Sequence, residues 1–159
     1  MTTRPRWLSD SEMRAWLGYR RMRNLLDPRI DRDLQTMSEL SEQDYDVLSH
    51  LSSIDGHRAR LTELSARLRW SRSRLSHHLG RMEKRDLVTR EVDPADGRGA
   101  VVALTDTGRT AIETAAPGHV ASVRRHFIDL LSPEQIEVLG DIAETVLSRL
   151  RTEDPPPGG

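Results

Sequence analysis

Apolar residues recur at helical spacing through most of the chain. Over 9–26, Met13, Trp16, Leu17, Tyr19, Met22, Leu25 and Leu26 follow a helical period and nearly encircle the predicted helix. One stripe is enough to seat a surface helix, so a second apolar face implies a partner. Pro28 reads as the stop of this helix, and 29–40 as a short, weakly periodic one. Ser41 caps the next, with Asp44 three residues on and Leu40 and Tyr45 placed as a hydrophobic staple. Its apolar set is Val47, Leu48, Leu51 and Ile54, and Asp55-Gly56 ends it near Ser53. Thr62 begins a short helix carrying Leu64 and Leu68, and Ser71 caps a longer one stapled by Trp70 and Leu75.

A single stretch changes period. Residues 87–92 and 100–104 are rich in β-formers, and the Asp93-Pro94 and Asp96-Gly97 turn signals lie between them. They predict one hairpin with a long polar tip. Two helices follow. The first spans about 106–130, where Pro117-Gly118 should bend or break it. The second spans about 133–151, capped by Ser132 with Pro133 in its first position, Gln135 closing the box, and Leu131 and Ile136 as the staple. The tail, 152–159, ends in Pro-Pro-Pro-Gly-Gly and reads as disordered. The fold class expected is mainly α with a small β-hairpin.

Charge changes the picture more than composition does. The net charge of −1 argues weakly against a polyanionic partner. Its distribution argues the other way. Residues 57–100 carry 11 basic and 6 acidic side chains, whereas 1–56 carry 8 and 10, and 101–159 carry 5 and 9. A basic middle between acidic flanks is either the footprint of a nucleic-acid contact or an ordinary solvated face. The chain has no cysteine, which removes thiol redox sensing, cysteine nucleophiles and thiolate metal sites. No nucleophile elbow and no phosphate-cradling glycine loop is present, so no enzyme and no cofactor are expected. No pair of the six histidines sits in a metal motif with a carboxylate third ligand at a convincing spacing, so no metal is expected either. No apolar run reaches the roughly 18–20 residues of a membrane span, and 1–6 lacks a signal-peptide core. A cytoplasmic protein without membrane contact is expected.

Short helix, tight turn, longer helix and hairpin, in that order, make a winged helix-turn-helix. At 100° per residue, Leu75, Leu79 and Met82 fall within about 60° of one another and form the buried face of the longer helix. Ser73, His77 and Lys84 point the other way, flanked by Gly80 and Arg81, with Arg74 on one edge and Arg72 at the helix start. Short polar groups, imidazole and guanidinium suit base edges and phosphates in a major groove.

These residues carry a family resemblance. The run Asp96-Gly97-Arg98-Gly99-Ala100-Val101-Val102-Ala103-Leu104-Thr105, followed by Gly108, resembles the wing signature of the MarR family of bacterial transcription regulators. The run 71–76 with Leu79, 82–85 and Leu87-Val88 is similar to that family's recognition helix and following strand. The likeness covers about 9–151, with Asp86 standing where the family usually has glycine. It implies a homodimer that binds double-stranded DNA. Residues 1–40 and 106–151 would form the dimerisation lobe, and 41–105 the DNA-binding lobe. Ser73, Arg74, His77 and Arg81 become major-groove candidates, Arg72 a base or backbone contact, and Arg90 a phosphate contact. Arg98 resembles the wing arginine that enters the minor groove, where narrow geometry concentrates negative potential. Asp96 is expected to pair with Arg98 and orient it, or else to be a plain turn residue.

The resemblance also implies a small phenolic or anionic effector held between the lobes. Trp16, Tyr19, Arg20 and Arg23 on the first helix, with Tyr45 and His50 opposite, are the candidates, since aromatic walls with a cation or imidazole suit such a ligand. Core or dimer packing is the competing role for Trp16 and Tyr19. The functional expectation is a ligand-responsive repressor on a pseudo-palindromic operator. The alternative is a helical dimeric interaction module without operator-specific binding.

Overall fold

The structure, a computed structural model, describes residues 6–153. The elements run α1 (Asp10–Ser38), α2 (Glu42–Ser53), β1 (Arg58–Arg60), α3 (Leu61–Leu68), α4 (Arg72–Lys84), β2 (Val88–Val92), β3 (Ala100–Leu104), α5 (Asp106–His126) and α6 (Pro133–Glu153). One-turn 3₁₀ segments follow α2 at Asp55–His57 and α5 at Ile128–Leu130. The cap residues act as their spacing requires. Ser41 accepts from the Asp44 N–H while the Asp44 carboxylate accepts from the Ser41 N–H. Ser71 accepts from Arg74, and Ser132 and Gln135 bond each other reciprocally.

Four expectations are corrected. Pro28 does not end the first helix: α1 is continuous from Asp10 to Ser38 and absorbs the short helix expected at 29–40. The lost Pro28 N–H removes one backbone bond. Tertiary packing beyond it compensates, because Leu34 is fully buried and Asp33 is tied to α5. Pro117 likewise does not break α5, which runs unbroken to His126. A third strand, β1, pairs antiparallel with β3 in the order β1-β3-β2, with Ala59 opposite Val102. Three residues reading Arg-Ala-Arg carry too little period-2 pattern to be seen as a strand. At the C-terminus, α6 includes Thr152 and Glu153, the first two residues of the expected tail. The disorder expected for 154–159, like the reading of 1–5, lies outside the described residues.

The core sits where the helix-turn-helix meets the sheet. Val47, Leu48 and Leu51 of α2 pack with Leu64 of α3, Leu75, Leu79 and Met82 of α4, and Val88 and Val102 of the hairpin. The hairpin register, Val88 opposite Leu104 through Val92 opposite Ala100, projects the 93–99 tip away from this core. Its base is locked to α5. Thr105 caps α5 by accepting from the Gly108 N–H, and donates to the Asp86 carbonyl at 2.5 Å. Asp86 adopts a left-handed φ of 55°, which costs an Asp less than most side chains. Thr107 Oγ1 holds its carboxylate at 2.9 Å. The hydroxyl contacts fix a turn that glycine would otherwise serve.

α1 and α5 are joined by polar contacts. Asp33 Oδ2 accepts from Ser122 Oγ, His126 Nε2 and Arg125 Nη2 within 2.7–2.9 Å. The Ser122 and His126 hydrogen bonds, then the Arg125 charge, hold its carboxyl down at about 2. Beyond this junction the terminal helices expose apolar residues: Met13, Trp16, Tyr19, Met22 and Leu25 on α1, and Val138, Ile142, Val146, Leu147 and Leu150 on α6.

Candidate nucleic-acid interface

α4 separates its two faces cleanly. Leu75, Leu79 and Met82 are fully buried, and His78 lies beside them. Arg72, Ser73, Arg74, His77, Arg81 and Lys84 are exposed on the opposite side. The Ser71 cap fixes the start of the helix, and no acidic residue stands in its first turn. The N-terminal partial positive charge of the helix therefore adds to the Arg72 and Arg74 charges, a combination that attracts phosphate.

The arginines are not equally free. The Arg74 guanidinium lies 4.3 Å from the centroid of the buried Trp70 ring, a cation–π contact that holds it along the helix start. Arg81 Nη2 donates to His78 Nδ1 at 2.8 Å. Arg90 is braced rather than presented. Its Nε and Nη2 donate to Glu83 Oε2 at 2.9 and 2.7 Å, and its Nη1 to Ser76 Oγ at 2.9 Å. These bonds tie β2 to α4 and occupy the fork expected to meet a phosphate.

The wing tip is built on two aspartates. Asp96 Oδ1 accepts from the backbone N–H groups of Arg98 at 2.9 Å and Gly99 at 2.8 Å. These two bonds hold the Asp96 carboxyl below the usual carboxylate range. Asp96 thus orients Arg98 through the backbone turn instead of through the guanidinium pair expected, and the Arg98 side chain is left exposed. Gly97, at φ 67°, makes the left-handed step that this turn needs. Asp93, buried beneath, accepts from the Ala95 N–H at 2.8 Å and pairs with Arg60 Nε of β1 at 2.9 Å. Arg58 of the same strand pairs with Glu91 of β2. Both arginines of β1 therefore pin the β2 side of the wing base.

The sequence pattern did not single out Trp70 and His78, Asp44, Glu83 with Ser76, or Arg60 with Asp93 as parts of this surface. Helical arithmetic places His78 about 40° beyond the edge of the Leu75–Leu79–Met82 arc, so its burial was only partly open to inference. The long-range pairings had no such signal.

The six effector candidates fall into two groups. Trp16 and Tyr19 stack at 6.0 Å on the exposed face of α1, with the Arg20 guanidinium 5.9 Å from Trp16 and that of Arg23 5.8 Å from Tyr19. Tyr45 instead packs against the core and meets His119 of α5 at 4.2 Å between ring centroids. His50 is half-buried, and burial followed by the Arg67 charge pushes its imidazole down, favouring the neutral ring. The open cavities between α1 and the α5–α6 junction are lined by other residues, among them Met22, Phe127 and Leu131.

Comparison with known proteins places this geometry. A MarR family model matches residues 38–99, which contain α2 to α4, β2 and the wing tip. AbsC, a MarR family transcriptional regulator from Streptomyces coelicolor, is 41% identical and superposes with a TM-score of 0.89 over 93% of this chain and 99% of its own. Sco3205, a MarR family regulator from the same organism crystallised in complex with DNA, is 38% identical with a TM-score of 0.92 over 98% of both chains. The transcriptional regulator HosA of Escherichia coli O111:H- is 29% identical over 133 residues, 82% of this chain and 95% of its own. These relatives are regulators and not enzymes, and the fold they share with this chain is the winged helix. No helix among the described residues is long and apolar enough to cross a membrane.

Proposed function

The chain belongs to the MarR family of transcriptional regulators, and from that premise we propose that it acts as a cytoplasmic homodimeric repressor of a pseudo-palindromic operator. The observation that carries this reading is the division of α4 into a fully buried apolar face and an exposed face bearing Arg72, Ser73, Arg74, His77 and Arg81. Sco3205, with the same fold, was crystallised on DNA. Residues 41–105 are the DNA-binding lobe, with α4 in the major groove and Arg98 in the adjacent minor groove. The helices of 1–40 and 106–151 are the dimerisation lobe. Their exposed apolar residues, half or more accessible at Tyr19, Leu25, Ile142 and Val146, are what a second copy would cover. Covering a promoter with such a dimer represses by occlusion.

A small phenolic or anionic effector would release it. The paired aromatic and arginine contacts along α1 favour that ligand chemistry, with the second copy supplying the opposite wall. Footprinting the promoter nearest the gene tests the whole reading. Two protected half-sites about one helical turn apart are expected. Continuous protection with no preferred position would contradict it.

A further inference from the structure

A buried polar chain runs behind the exposed face of α4. Asp44 of α2, only 4% exposed, stands with Oδ1 3.0 Å from His78 Nε2 in a bent contact. Its Oδ2 accepts from Arg85 Nη1 at 2.7 Å and from the Ser41 N–H at 3.0 Å. Arg85 Nη2 also donates to the Glu39 carbonyl at 2.7 Å. On its other side the His78 ring receives Arg81 Nη2 at 2.8 Å on Nδ1. An arginine can only donate, so Nδ1 must be the bare nitrogen and the ring proton sits on Nε2, facing the carboxylate. Burial alone would raise the Asp44 carboxyl, but His78, the Ser41 N–H and Arg85 outweigh it and hold it well below the usual range. Trp70 meets the same ring edge-on at 5.5 Å, and its own face carries Arg74.

We propose that Asp44 and His78 are positioning residues for DNA recognition: the carboxylate orients the imidazole, and the imidazole fixes the direction in which Arg81 presents its remaining donors. The inference rests on the reading of α4 as the recognition helix. It explains why a polar side chain is buried beside the core arc made of Leu75, Leu79 and Met82. Leucine would fill that space without satisfying Arg81. A flexible arginine must lose rotamer freedom when it meets DNA, and a hydrogen bond made beforehand removes part of that cost.

The test is a double-mutant cycle on the full-length protein, titrated by fluorescence anisotropy against the footprinted duplex and a scrambled one at fixed salt. Arg81→Ala is expected to lower affinity for the footprinted duplex about tenfold. His78→Leu should cause a similar loss, and the double variant should fall little further than either single one. His78→Gln should stay within about twofold of wild type, because its amide can accept from Arg81 and donate to Asp44 at once. A merely structural role for His78 would show as a lower melting temperature and additive losses. Should His78→Leu lose its fold, Asp44→Asn carries the same comparison, since it keeps the shape and removes the charge. Additivity, a wild-type affinity for His78→Leu, or an Arg81→Ala variant that binds normally overturns the proposal while leaving DNA recognition intact. A wild type that does not distinguish the two duplexes overturns the recognition reading, and the proposal with it.

Discussion

The proposed function puts Arg74 and Arg98 in different grooves of the DNA, and their loss should separate them. Arg74→Ala removes a guanidinium poised over Trp70 at the start of the recognition helix. It should cost about 1–3 kcal/mol at the operator and relax sequence preference at one position. Arg98→Ala removes a charge from the wing tip, where groove width and potential count for more than base identity. It should weaken operator and scrambled duplex by similar factors with the fold unchanged. Asp96→Ala should imitate Arg98→Ala more weakly, because it frees the backbone N–H groups of Arg98 and Gly99 and leaves the guanidinium itself in place. Anisotropy titrations of the three variants on both duplexes check this. If Arg98→Ala matches wild type on both, the 96–98 segment is only a turn.

At the scale of elements, one junction holds the reading unit to α5, and a second ties the terminal helices α1 and α5 to each other. The first is the approach of α5 to the strand entrance. A Cβ added at Gly108 would stand 2.0 Å from the Leu87 carbonyl oxygen, a backbone atom with no freedom to yield. Gly108→Ala should therefore destabilise by about 3 kcal/mol or more, lowering the melting temperature by roughly 6–12 °C. A shift under a degree or two in a thermal scan would show that α5 can move away. The second junction is Asp33 against Ser122, Arg125 and His126. With its folded carboxyl near 2 and an ordinary value of 3.8 when free, its contribution is fully present above about pH 4 and lost as pH falls toward 2. Wild type should lose stability across that window. Asp33→Asn should be less stable at neutral pH and should lose less on acidification, as urea midpoints at several pH values would reveal.

Which elements were legible in the sequence follows from the same physics. Caps and staples at Ser41, Ser71 and Ser132 act within one turn, so their spacing carries the information. The buried arc of α4 and the two hairpin strands were legible for the same reason. Pro28 and Pro117 misled because a local rule was overruled by packing between α1 and α5. β1 was invisible because three residues reading Arg-Ala-Arg become a strand only when β3 pairs with them. At the site, the exposed residues of α4 and the wing could be read from facing and turn chemistry. Arg90 could not, because Glu83 and Ser76, 7 and 14 residues away, decide where its guanidinium goes.

At the scale of the molecule, a net charge of −1 conceals a basic segment at 57–100 between two acidic flanks. At this overall charge a polyanion is best met by the basic segment, and the proposed dimer would present two such segments together. If each copy neutralises roughly three to five phosphates, a dimer neutralises about six to ten and releases the counterions they had condensed. The measurement that tests this most directly is the affinity of the full-length protein for its footprinted duplex as a function of salt, with a scrambled duplex of equal length and base composition alongside. A dimer reading two half-sites should bind the footprinted duplex at least about a thousandfold more tightly at physiological salt, with log affinity falling against log salt at a slope of about −5 to −9. Equal affinities for the two duplexes, or a slope near zero, would contradict a paired winged-helix reader of DNA.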